Sequence, residues 1–184
     1  MDQKTTGAAI ISTAKRCFEA GQFGDALELY WALEGSSFEF DTDTRFLEAV
    51  AKSRIGQYEM AKQSFEVLLS DERTKGTTFR ANVVREHAHV LIKLDQPEGL
   101  EQLLNEAEQI YKQQKLTSEV GTIHYLQGLV LIRQGRVDEG MKKIAESTTS
   151  EMSIPDFVPP AWGAGRKTVD PPADLARTAA LAVA

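Results

Sequence analysis

The chain has 184 residues, of which 42% are hydrophobic and 26% charged, enough for one substantial core and short for two domains. A net charge of -6 with a mean hydropathy of -0.30 argues against a general nucleic-acid binder, which presents a basic surface, and leaves room only for a local basic groove. The single cysteine, Cys17, excludes an intramolecular disulfide and fits a reducing compartment. Met1-Asp2-Gln3-Lys4-Thr5-Thr6 lacks the charged-then-apolar order of a signal peptide, and no apolar run reaches spanning length. A cytoplasmic protein without membrane insertion is expected.

The first helix is predicted from Ala8 to Ala20, with Ile10, Ile11, Ala14, Cys17 and Phe18 on one apolar stripe and Gly21 closing it. Cys17 on that stripe reads as a small core residue rather than a nucleophile. A second helix follows from about Asp25 to Leu33, and Gly35-Ser36-Ser37 ends it. Asp43 or Thr44 starts the third, which turns Phe46, Leu47, Val50 and Ala51 inward and stops at Gly56. The fourth runs from Tyr58 to about Leu69, and the polar stretch from Asp71 to Thr78 is expected to be a loop or loosened turn. The fifth spans about Thr78 to Leu94. Asp95 then reads as the N-cap of the sixth helix, with Pro97 near its first position and Glu98 three residues after the cap; this helix continues to about Lys112. Thr117 or Ser118 caps a seventh helix ending at Gly135, and an eighth covers about Asp138 to Glu146.

The turns share a grammar. Gly21, Gly56, Asp95 and Gly135 lie 35, 39 and 40 residues apart, the period of stacked helical hairpins. Two residues on stand Phe23, Tyr58, Pro97 and Val137; a small position follows at Ala26, Ala61, Leu100 and Gly140, and a large one at Tyr30, Phe65, Leu104 and Ile144. The preceding helices carry Ala14, Ala49, Ala88 and Gly128 at one phase.

This pattern resembles the tetratricopeptide repeat (TPR) family over about residues 7 to 148. The third repeat departs from it in its turn and its small position, so a wider helix crossing is expected there. The implied fold is all-α, a right-handed solenoid of about four antiparallel helical hairpins spanning 7–148, followed by an irregular Pro-rich C-terminal tail at 149–184. Three readings of that tail stand: a disordered segment, a strap whose candidate anchors Phe157 and Trp162 dock on the solenoid, or a ligand for another chain.

In the family the first helix of each hairpin lines a concave face that holds peptides. Carried onto this chain, that face selects Lys15, Phe18, Glu19, Phe46, Val50, Arg54, Arg85, His89, Lys93, Tyr125, Leu129 and Arg133. Arg54, Lys93 and Arg133 recur just before each turn, where the helix C-terminus alone also favours cations. An aromatic and aliphatic floor with a basic rim suits an acidic or amphipathic peptide. The carboxylate clamp of chaperone-binding members is not reproduced, since Ile11, Lys15, Phe46 and Val50 occupy those positions.

No catalytic constellation stands out. His87 and His89 are two residues apart on a predicted helix and do not share a face, with His124 distant from both. Gly21-Gln22-Phe23-Gly24 follows no strand, and Gly163-Ala164-Gly165-Arg166-Lys167 lacks the order of a phosphate loop. The expectation is a protein-binding scaffold or adaptor with no enzyme activity and no cofactor. The alternatives are a structural protein that self-associates by filling its groove with its own or a neighbour's tail, and a regulatory sensor domain.

Overall fold

The computed structural model describes residues 3–33 and 39–149. Among them the order is α1 (Gln3–Glu19), α2 (Phe23–Trp31), α3 (Thr42–Arg54), α4 (Tyr58–Leu69), a single 3-10 turn (Glu72–Thr74), α5 (Thr78–Lys93), α6 (Leu100–Gln113), α7 (Thr117–Arg133) and α8 (Val137–Thr149). There is no strand among the described residues. The helices belong to one compact unit, residues 1–152. Residues from 150 onward, Phe157 and Trp162 included, lie outside the described part, as does the Gly35-Ser36-Ser37 stretch.

Each helix packs on the next in sequence, which makes four antiparallel hairpins, and the odd-numbered helices also pack on one another: α1 on α3, α3 on α5, α5 on α7. Contacts of that kind are sparser between even-numbered helices, so the odd-numbered set forms the inner layer. Burial follows this division. Helix α5 buries eleven residues spread round its circumference, from Arg80 to Ile92, whereas α4 buries only Ala61, Phe65 and Leu68 on a single stripe.

The four hairpin turns are built alike. Gly21, Gly56 and Gly135 adopt φ of 77°, 84° and 79°, and Asp95 joins them at 57°. At each, the following amide donates to a carbonyl five residues back: Gln22 to Cys17, Gln57 to Lys52, Gln96 to Leu91, Arg136 to Leu131. These are Schellman closures, which satisfy otherwise orphaned carbonyls at the helix end. Asp95 is therefore the terminator of α5. The expected N-cap role is overturned, because a left-handed residue bonded back into α5 cannot start α6. Gly99, at φ 74°, precedes α6 instead. The residues between Asp95 and Leu100 lengthen the third hairpin, and the 3-10 turn lengthens the connection before it.

Capping at two inner helices is local and strong. The Thr44 amide donates to Asp41 Oδ1 at 2.7 Å, so α3 starts at Thr42, one or two residues before the expected Asp43 or Thr44. The Arg80 amide donates to Thr77 Oγ1 at 3.2 Å at the head of α5. Rings then staple the hairpins. Phe23 folds back edge-on against Phe18 with centroids 5.2 Å apart. Phe46 meets Phe65 at 6.2 Å and Phe79 at 5.6 Å, joining α3, α4 and α5.

Candidate inner-face binding site

Helical spacing aligns the site. On α5, Arg85, His89 and Lys93 are four residues apart, and on α7 so are Tyr125, Leu129 and Arg133, which puts each set on one stripe. The two helices pack against each other, so the stripes belong to one inner surface. Lys93 and Arg133 occupy the last turns of their helices.

Exposure divides the expected groove residues into two groups. Phe18 is 4% exposed, Phe46 6% and Val50 0%, so these three are packing residues and offer no floor to a ligand. This corrects the expected aromatic floor in the first half of the chain: the Phe18 ring joins α1 to α2, and the Phe46 ring joins α3, α4 and α5. Lys15, Arg54, His89, Tyr125 and Leu129 are half-buried, and Glu19, Lys93 and Arg133 are exposed. The accessible part of the inner face thus lies mainly on α5 and α7. Cys17, expected in the core, is only partly buried.

The expected basic rim is also modified by partners that the sequence pattern does not display. Arg54 Nη2 donates to Glu86 Oε2 at 3.0 Å and Arg85 Nη2 to Glu86 Oε1 at 3.3 Å, with the Glu86 side chain 1% exposed. Arg85 is itself buried, which disfavours its charge; Glu86, Tyr111 and Glu119 around it outweigh that and hold its pKa above the ordinary guanidinium value. Two of the expected groove cations are therefore tied up in a buried network. Arg133 lies 3.4 Å from Asp95 Oδ1, and both side chains are well exposed. Lys93 has no ion pair among the described residues.

His89 stands among these groups. Burial, reinforced by Arg54, Arg85 and Lys93, pushes its pKa down to about 3, so it stands there as a neutral imidazole. Burial raises the Tyr125 hydroxyl pKa against a smaller opposing effect of Arg133. His87 points elsewhere, packed on the Phe65 ring at 6.2 Å and 5% exposed. His124 pairs with Glu108 at 3.0 Å, and Glu108 also accepts from Gln127 at 2.9 Å and from Lys112. Burial opposes the Glu108 charge, yet the bonds from Lys112, Gln127 and His124 lower its pKa to about 2. Among the described residues no group of three or more His, Cys, Asp or Glu could hold a metal ion. No helix there is long and apolar enough to cross a membrane.

Glu86 and Glu119 are the site residues that sequence reasoning missed. Their only signal was an acid at an inward phase of an inner helix, which becomes meaningful once Arg54 and Arg85 are known to share that interior.

The chain has a TPR-like, all-α helical-repeat fold. No protein-family model and no curated protein matches it. Among solved structures it is similar to MamA 41-end from Desulfovibrio magneticus RS-1, with a TM-score of 0.60 and 17% identity over 82% of this chain and 77% of that one. The MamA RS-1 ArsTM double mutant gives the same TM-score of 0.60, 17% identity and 82% and 77% coverage. At that identity the likeness speaks for the fold alone.

Proposed function

We propose that this chain is a non-enzymatic interaction module that holds a segment of a protein partner on the inner face of its hairpin stack, as a scaffold or adaptor. The observation that carries this reading is the pair Tyr125 and Leu129, which stay half-buried on an inner helix whose other faces are packed. Beside them lie neutral His89 and the exposed cations Lys93 and Arg133. An apolar strip with a charged edge suits an amphipathic segment carrying acidic residues: the strip supplies contact area and the edge sets orientation.

The test is a peptide array probed with the full chain, followed by titration of the best binder. Lys93→Glu plus Arg133→Glu should abolish binding in a protein whose helical circular dichroism is unchanged. Undiminished affinity in that folded double variant would sink the groove reading. Self-association remains the second reading, favoured by the exposed apolar residues Met60 and Val67 on one stripe of α4 and Val137 and Met141 on α8. Light scattering across a concentration series separates the two, because a groove binder keeps one mass while a self-associating chain gains mass with concentration.

A further inference from the structure

A surface that recognises acidic segments gains nothing from a buried acid beneath it, yet Glu86 is placed there. Its carboxylate takes two guanidiniums, one from α3 and one from its own helix, at 3.0 Å and 3.3 Å. With buried Glu119 close to Arg85, the patch around Glu86 is nearly neutral. At the ends of α5 and α7 the balance changes. Among the described residues Lys93 is exposed and has no ion pair, and the one ion pair of Arg133 is with the exposed Asp95 at 3.4 Å. Charge is therefore uneven over the inner helices: compensated around Glu86, where Arg54 at the end of α3 and Arg85 meet it, and positive at the ends of α5 and α7.

Resting on the groove reading above, we propose that Glu86 is the specificity-determining residue of this surface: by neutralising Arg54 and Arg85 it confines carboxylate recognition to the Lys93–Arg133 edge. The occupant that fits is an amphipathic segment with apolar side chains over Tyr125 and Leu129 and its carboxylates gathered at one end. A uniformly acidic segment is disfavoured. Its central carboxylates would give up water to meet guanidiniums already engaged by an acid, and specificity of this sort comes from what a site rejects as much as from what it attracts.

The full chain is titrated by fluorescence anisotropy with two labelled leucine-containing peptides of equal length, one with glutamates throughout and one with glutamates at a single end. Wild type should prefer the end-charged peptide. Glu86→Gln should tighten the uniformly acidic peptide by about fivefold, the upper range for one partly exposed ion pair, and leave the end-charged peptide within about twofold. Adding Arg54→Met to Glu86→Gln should restore the wild-type preference, because the released charge is removed again. Arg54→Met alone, readable even where Glu86→Gln does not fold, should weaken the uniformly acidic peptide. A Glu86→Gln protein that loses both peptides alike, or an unchanged preference, would overturn the proposal and leave the groove reading standing, provided that Lys93→Glu plus Arg133→Glu still abolishes binding. Failure of wild type to bind either peptide would overturn both.

Discussion

In the second hairpin Ala49 and Ala61 are fully buried, and Phe65, also fully buried, supplies the bulk beside them. In the fourth, the corresponding small positions are Gly128 and Gly140, and the large one, Ile144, is only partly buried. A Cβ added at Gly128 would lie 2.7 Å from the Gly140 carbonyl oxygen, and one added at Gly140 would lie 2.7 Å from that of Gly128. The backbones of α7 and α8 therefore touch reciprocally, and no side chain fits between them. The two hairpins close by different means, one by filling space with an aromatic ring and the other by removing the side chains from the crossing. Each glycine inside a helix costs about 1 kcal/mol in propensity, which close helix packing offsets in the fourth hairpin. The same repeat grammar thus tolerates two packing solutions.

The largest effect should separate them most clearly. Phe65→Ala in the second hairpin is expected to cost about 3–5 kcal/mol, since the ring touches both Phe46 and His87. Ile144→Ala should cost clearly less because Ile144 is already partly exposed. Chemical denaturation of the two variants measures the difference, and equal losses would contradict the distinction.

Acid should act most on the third hairpin, through α5. Burial, with a smaller effect of Lys62, lowers the pKa of His87 from 6.5 to about 4, and its ring nitrogens have no hydrogen-bond partner among the described residues. Between those values the unfolded chain takes up a proton that the folded chain refuses, so stability falls as pH drops from about 6.5 toward 4. The expected loss from this one group is at most about 3 kcal/mol. His89, with its pKa at about 3, adds to the same slope. His87→Leu should therefore remove about half of the loss of urea stability across this window. The carboxylates with lowered pKa, Asp41, Asp71, Glu108 and Glu139, lose their contribution mainly at lower pH, in the same direction, and do not mask it.

The smallest effect belongs to the glycine crossing. Gly140→Ala gains helix propensity and loses the backbone approach, and the clash at 2.7 Å is with a carbonyl oxygen that cannot swing away. A net destabilisation of about 1–3 kcal/mol is expected. The reverse design, Ala61→Gly, should destabilise by about 1 kcal/mol, mainly from chain entropy. A stabilised Gly140→Ala protein would show that the fourth hairpin closes like the second.

Much of this architecture was legible in the sequence because it repeats. A lone glycine after an apolar stripe is a common helix end, but four equivalent turns in phase predict stacked hairpins, and all four turns share one backbone closure. Asp95 was placed correctly in the series of turn residues and wrongly as a cap, since a short polar side chain suits either role and local sequence cannot tell which helix it serves. The groove was less legible. Helical phase put Phe18, Phe46 and Val50 on the inner helices, yet it cannot say whether a neighbouring helix covers them.

By itself the sequence determined the helical period and the hairpin turns, because these depend on spacing within a few residues, while the inner helix of each pair followed from the family resemblance. Tertiary structure alone decided which inner side chains remain accessible and which charges remain unbalanced. Arg54 and Glu86 are 32 residues apart and Arg85 and Glu119 lie on different helices, so their compensation exists only once α3, α5 and α7 are packed together. Coulomb interactions and burial depend on distance in space, and no pattern of neighbours along the chain encodes it.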